Sequence, residues 1–229
     1  MSFNRPLFEE KVQVGLKALG IEFNNSQVEL LSLFSLEFFK WNGIHNLSAI
    51  NDEAEYLSAH IMDSLAVIPP ILKTVQLGHL PEGAKVADLG VGGGFPGMVL
   101  AIFLPEFSFS LIDAVKKKTA FLTHVAGRLK LKNVAVFDQR IEHFAKAYPF
   151  SFDATISRAF TELSAFVNYS RPLVRENGIM FAMKSQKISE EMDALADTDK
   201  VLFLEELKIP YLDAYRCILA IQSMRKFSI

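Results

Sequence analysis

Three observations predict an α/β fold with a seven-stranded, mostly parallel sheet, an antiparallel last strand and an N-terminal helical extension. Through residue 70 or so, apolar residues recur at helical spacing and no convincing strand interrupts them. From Lys85 onward, short apolar runs alternate with helical periodicity, as βα units do when they build a parallel sheet. The final two apolar runs are separated only by Lys208 to Asp213, enough chain for a hairpin but not for a helical crossover, so an antiparallel edge is implied.

Composition narrows the class. Half of the 229 residues are hydrophobic and 22% are charged, which suits a chain with a sizeable core and excludes disorder as the main state. The uncharged stretch from Leu89 to Pro105 holds five glycines and two prolines, so it does not read as a membrane-spanning helix. The N-terminus mixes both charge signs ahead of any apolar run and lacks a secretory pattern, which leads us to expect a cytoplasmic protein. The single cysteine, Cys217, excludes an internal disulfide framework and a thiolate metal cluster within one chain. The five histidines show no zinc-binding spacing, so no metal site is expected. A net charge of −2 argues against generic polyanion binding; nucleic acid would have to meet local patches such as the N-terminal helices with Lys116 to Lys118, Arg171 and Arg175, although each of the clusters Lys116 to Lys118, Arg128-Leu-Lys130-Leu-Lys132 and Arg225-Lys226 taken alone reads as a solvated helix end.

In chain order, Leu30/Leu31, Phe34, Phe38 and Trp41 form one apolar helical stripe that Asn42-Gly43 should end, and Pro69-Pro70 should break or close the run that carries His60 and Asp63. His60 and Asp63, one helical turn apart, are expected to bond each other or to cap. Leu80 to Gly83 marks the boundary between a helical cap, 1–80, and a Rossmann-like domain, 81–229, packed as one unit. Strands are predicted at Val86 to Leu89, Ser108 to Ile112, Val134 to Phe137, Ala154 to Ser157, Gly178 to Met183, Val201 to Leu207 and Ala214 to Ser223. Helices fall between them, including Lys117 to Lys130 with its Phe121, Leu122, Val125 and Leu129 face, and Ile188 to Ala196 after the fifth strand.

The most informative stretch is Val86-Ala-Asp88-Leu-Gly90-Val-Gly92-Gly-Gly94-Phe95-Pro96-Gly97, a strand running into a glycine-rich turn and a helix. Glycines there allow positive φ and close backbone approach, and the helix N-terminus is expected to face a ligand. Gly92-x-Gly94-x-x-Gly97 matches the dinucleotide fingerprint, so an NAD-dependent oxidoreductase is the competing class. Its register is poor, because that fingerprint starts directly after the strand, at Gly90, and would then need glycine at Phe95. A carboxylate at Asp88 is unhelpful beside a pyrophosphate but useful opposite a cationic amino-acid moiety such as that of S-adenosylmethionine. Asp113, ending the second strand, suits ribose hydroxyls in either class of site. Ile141-Glu142 pairs an apolar side chain that could cover an adenine face with an acid that could meet its amine, or Glu142 simply starts a helix. Arg158 ends the fourth strand as a fixed cation beside the loop, and Lys184 follows the fifth.

Taken together, Trp41-Asn42…Asn46-Leu47-Ser48-Ala49-Ile50, His60-x-x-Asp63-Ser64-Leu65, the block from Asp88 to Gly97, Ile156-Ser-Arg-Ala-Phe160 and Met183-Lys184 resemble the bacterial 16S rRNA guanine-N7 methyltransferase family, also called glucose-inhibited division protein B. The resemblance covers roughly residues 28 to 186. It implies a class I methyltransferase domain that uses S-adenosylmethionine and modifies one guanine of small-subunit ribosomal RNA, presented as 16S rRNA, a small subunit or an assembly intermediate. Gly90, Phe95, Ile141, Glu142 and Arg158 fall on its cofactor-binding positions. With Asp88, Gly92 and Asp113 they make up the expected cofactor set, and Lys184 is the expected substrate contact. Two departures stand out: Val91 replaces a small or hydroxylated residue, and Ser185 replaces a glycine. No catalytic general base is expected, because guanine N7 has a lone pair and no proton to lose. The protein is expected to act as a monomer. The remaining alternatives are a methyltransferase of the same fold acting on a small metabolite or protein, and a non-catalytic RNA-binding or assembly factor, for which the complete cofactor constellation would have no purpose.

Overall fold

The computed structural model describes residues 3–158, 162–186, 188–192, 195 and 199–224. Five helices precede the sheet: α1 (Arg5–Ala18), α2 (Asn25–His45), α3 (Glu53–Tyr56), α4 (Asp63–Leu65) and α5 (Ile68–Gln76), with a π-helical turn, Leu57–Met62, joining α3 to α4. The start of α2 is a capping box in which Asn24 Oδ1 accepts from Gln27 N–H and Gln27 Oε1 from Asn24 N–H, both at 3.0 Å. At its other end α2 runs past Asn42-Gly43 to His45 and stops where Asn46 turns left-handed at φ 50°. A single glycine costs a helix about 1 kcal/mol, which the buried stripe of α2 offsets. Pro69 and Pro70 likewise do not close a helix. They open α5, where a missing N–H removes no hydrogen bond.

The sheet has the order β3-β2-β1-β4-β5-β7-β6, formed by β1 (Lys85–Leu89), β2 (Ser108–Asp113), β3 (Val134–Asp138), β4 (Phe152–Arg158), β5 (Val174–Lys184), β6 (Asp199–Glu206) and β7 (Cys217–Ser223). β1 to β5 are parallel, and β7 runs antiparallel to both β5 and β6. The antiparallel strand is therefore not itself the edge: the hairpin folds back so that β7 enters beside β5 and leaves β6 outside. Crossovers are α6 (Gly97–Phe103), α7 (Lys116–Arg128), α8 (Ile141–Ala147) and α9 (Leu163–Ser170). After β5, α10 spans Ser189–Met192; Asp193, Ala194 and Ala196 of the longer helix expected there lie outside the described residues, as do Ala159, Phe160, Arg225 and Lys226. Among the described residues no helix is long and apolar enough to cross a membrane.

Each face of the sheet buries its own apolar cluster. One holds α6, α7 and the N-terminal helices, the other α8 and α9. The first is centred on Phe38, fully buried, whose ring lies 4.8 Å from Tyr56, 5.5 Å from Phe95 and 6.1 Å from Phe121. One side chain thus joins α2, α3, the glycine loop and α7. Replacing Phe38 with Ala should cost about 3–5 kcal/mol of stability in urea unfolding, because the three surrounding rings belong to three separate elements and cannot close the cavity together.

Candidate active site

The chain leaves β1 at Leu89 and turns through Gly90, Gly92 and Gly94, at φ +72°, +60° and +104°. Gly90 N–H and Val91 N–H donate to Ile112 O at 2.9 and 3.1 Å, fastening the loop to β2. At the end of β2, Asp113 accepts from Gly92 N–H through Oδ2 (3.0 Å) and from Val115 N–H through Oδ1 (2.9 Å). The loop is thereby rigid before any ligand arrives.

Asp88 occupies a different place from the one expected. Its carboxylate is fully buried behind the loop, Oδ2 accepts from Gly97 N–H at 2.7 Å, and Oδ1 has no hydrogen-bond partner. The first turn of α6 therefore faces Asp88, not a ligand. A Cβ on Gly97 would lie 2.5 Å from Leu111 Cδ2 and 2.6 Å from Asp88 Oδ2, so only glycine permits this closure. Burial pushes the Asp88 carboxyl up to about 7, against the Gly97 hydrogen bond and the charge of Arg158.

Two cavities flank the loop and share Gly90 and Arg158. The first, of about 360 Å³, is lined by Gly90 to Gly93, Phe95, Arg158, Lys184 and Ser185, and across from them by Leu47, Ser48, Ile50, Ala59, His60, Asp63 and Arg216. The second, of about 410 Å³, is lined by Asp113, Lys118, Gln139, Arg140, Ile141, Glu142 and Tyr169. Eight of the nine expected site residues line one cavity or both; Asp88 lines neither. Glu142 lies in the first turn of α8, where its own backbone N–H holds its carboxyl below the usual range, and it accepts from Tyr169 Oη at 3.3 Å.

Arg158 spans the gap between β4 and the π-helical turn. Nη1 donates to Ala59 O at 2.7 Å and to Asp63 Oδ2 at 3.1 Å, and Nη2 lies 3.0 Å from His60 Nδ1. Asp63 Oδ1 takes Arg216 Nε at 3.1 Å. His60 and Asp63 thus do not bond each other as expected; both face the same guanidinium. His60 also stacks on Phe95, with centroids 4.4 Å apart at 15°, and the Arg158 guanidinium lies 5.2 Å from the Phe95 ring. Burial, and then the charge of Arg158, drives His60 down to about 3 and leaves it neutral.

The loop after α2 is stapled beneath that helix by Asn42, whose Oδ1 accepts from Ser48 N–H at 2.8 Å and whose Nδ2 donates to Ile50 O at 3.1 Å. Ser48 Oγ then reaches His60 Nε2 at 2.9 Å. Ser48 and Arg216, and Asn42 beyond its expected place at a helix end, were not among the expected site residues. Asn42 and Ser48 lie in the polar stretch Trp41 to Ile50 at the end of an apolar helix, which is a signal for them; Arg216 has none. Lys184 pairs with Glu191 at 2.8 Å, Arg175 with Asp153 at 2.7 Å and Arg171 with Asp199, so each of these cations already neutralises a carboxylate. Lys117 Nζ donates to His45 O at 2.7 Å, and Lys118 lies 3.9 Å from Asp113. Val91 is buried in the wall of the first cavity.

A family model described as rRNA small subunit methyltransferase G (GidB) matches residues 27–219. Proteins named ribosomal RNA small subunit methyltransferase G are similar along nearly the whole length: one from Polynucleobacter asymbioticus is 42% identical over 95% of this chain and 97% of its own, and one from Bordetella avium is 39% identical over 92% and 91%. Among solved structures, TrmN from Thermus thermophilus aligns with TM-score 0.54 at 14% identity over 70% of this chain and 48% of its own. Fibrillarin from Aeropyrum pernix, solved with natively bound S-adenosyl-L-methionine, aligns with TM-score 0.51 at 15% identity over 66% and 74%. These two share the fold.

The buried carboxyl makes stability depend on pH. The folded state holds the Asp88 proton more tightly than the unfolded chain, whose carboxyl titrates near 3.8, so this contribution favours folding below that pH and is lost as pH rises toward 7. The melting temperature of Asp88→Asn relative to the unsubstituted protein should therefore rise between about pH 4 and about pH 7, and thermal scans across that window check it.

Proposed function

This chain belongs to the rRNA small subunit methyltransferase G family, and on that premise we propose that it transfers the methyl group of S-adenosylmethionine to N7 of one guanine in 16S ribosomal RNA. The observation that carries this reading is the pair of cavities meeting at Gly90 and Arg158, one holding the Asp113 and Glu142 carboxylates and one walled by the helical extension. The residues present suit the cofactor. Asp113 and Glu142 offer carboxylates to ribose hydroxyls and to the adenine amine, Ile141 offers an apolar cover, and Gly92 turns bare backbone outward where a Cβ would find only Gly90 O and Lys118 Nζ, both 4.0 Å away.

When bound, S-adenosylmethionine supplies an electrophilic methyl on a sulfonium. Gly90, Gly92, Phe95 and Arg158 are the residues that would hold its amino-acid end, and Asp88 acts behind them by locking the loop through Gly97 N–H. Guanine N7 attacks through an in-plane lone pair, so the chain has to supply alignment and exclude water, not remove a proton. Alignment of this kind is worth roughly 7–11 kcal/mol in favourable intramolecular cases. His60, kept neutral, is part of the wall and not an acid.

Residues 1–80 act as the cap that walls the base-binding cavity, and 81–229 as the methyltransferase domain, the two sharing one apolar cluster. The protein works as a cytoplasmic monomer on ribosomal RNA, in the small subunit or its precursor, with Lys184 at the rim near the RNA.

Transfer of radiolabelled methyl to small subunits from cells lacking this modification, followed by nucleoside analysis, should place the label in 7-methylguanosine. Cofactor binding with label found only on a metabolite or protein would move the substrate, and absence of cofactor binding would sink the reading. Arg158→Ala should reduce cofactor affinity or turnover at least about tenfold, since charge-assisted hydrogen bonds of this kind are worth about 1.5–3 kcal/mol; calorimetry and the same transfer assay measure both.

A further inference from the structure

Ser48 lines the first cavity with its hydrogen-bond polarity set from behind. Arginine is always protonated, so Arg158 Nη2 donates across the 3.0 Å to His60 Nδ1, which therefore carries no proton. Ala59 O, 3.2 Å from that nitrogen, accepts from Arg158 Nη1 at 2.7 Å, so the two acceptors share one guanidinium. The neutral ring then keeps its hydrogen on Nε2 and donates it to Ser48 Oγ, 2.9 Å away. Ile50 N–H donates to the same oxygen at 3.2 Å. Both lone pairs of the hydroxyl are used, and its hydrogen has no acceptor among the described residues. Asn42 fixes the backbone at both ends of the Ser48–Ile50 turn, so this donor is held in place at the cavity wall.

A serine hydroxyl ordinarily reads either partner, but this one only donates. Guanine presents two acceptors side by side, N7 and O6, whereas adenine presents N7 beside an amino donor. We infer that Ser48 is a specificity-determining residue that donates its hydroxyl hydrogen to O6 of the target guanine, admitting a 6-oxo purine and opposing a 6-amino one. The inference rests on the guanine-N7 reading above. His60 and Arg158 act through Ser48 here as positioning residues.

The test crosses a protein change with a base change. Small subunits are reconstituted with 16S rRNA carrying either guanine or 2-aminopurine, which keeps N7 and lacks O6, at the nucleotide that the labelling experiment maps. Wild-type protein should lose about 5- to 30-fold in kcat/KM on 2-aminopurine, the range expected for one hydrogen bond. Ser48→Ala should lose a similar factor on guanine and nothing further on 2-aminopurine, Ser48→Thr should stay within about threefold of wild type, and cofactor affinity should be unchanged in both variants. Wild-type indifference to the loss of O6 overturns the inference even if Ser48→Ala does not fold, and so do two losses that multiply. Failure of wild-type protein to label any guanine at N7 overturns the function reading itself, a result distinct from either of these.

Discussion

The Arg158 guanidinium is the contact on which the arrangement of this site depends. It ends β4 with 17% of its side chain exposed and carries a charge that must be paired once it leaves water. Its partners, Ala59 O, His60 and Asp63, all lie on or beside the π-helical turn, nearly a hundred residues earlier in the chain. Asp63 also takes Arg216, immediately before β7, so one buried carboxylate joins the helical extension, the centre of the sheet and the approach to its antiparallel strand. The wider π turn suits this role, since it departs from the regular ladder where His60 and its neighbours must meet the sheet.

A second constraint lies beneath the glycine loop. Asp88 and Gly97 close the first turn of α6 against β1 in a space that admits no Cβ, and the cost is a buried carboxyl oxygen with no partner. The result is a loop whose exposed face is backbone alone. Phe95 leaves that loop toward the helical extension, stacks under His60 and meets Phe34 and Phe38 at 5.5 Å each. Packing of the extension and geometry of the loop are therefore one problem, which explains why the helices before the sheet supply half of a wall whose other half comes from β-strand ends.

Two buried groups hold unusual protonation for opposite reasons. Asp88 has lost water and gained a single donor, so its carboxyl is pushed up; His60 has lost water and faces a cation, so its ring is pushed down. Neither performs proton transfer in a reaction whose nucleophile has no proton. The neutral histidine instead conveys hydrogen-bond direction from a cation to a hydroxyl at the cavity wall.

Much of the fold was legible in the sequence, because periodicity and turn residues are local. The βα alternation, the glycine turn and the short Lys208 to Asp213 link state the sheet and its single reversal of direction. Asp113 at the end of β2, and Glu142 in the first turn of the helix that follows β3, could be placed at a cavity from their order in the chain, since parallel strands deliver their C-terminal ends to one edge. What the sequence could not decide is where side chains of one element meet those of another. Asp88 looked like a ligand for being at a strand end, yet its direction is set by the packing of α6; His60 and Asp63 looked like partners for being a turn apart, yet a cation from β4 separates them. Local spacing determines which residues share an element. Burial, charge pairing and the exclusion of a Cβ act between elements far apart in the chain, and only the tertiary structure sets those.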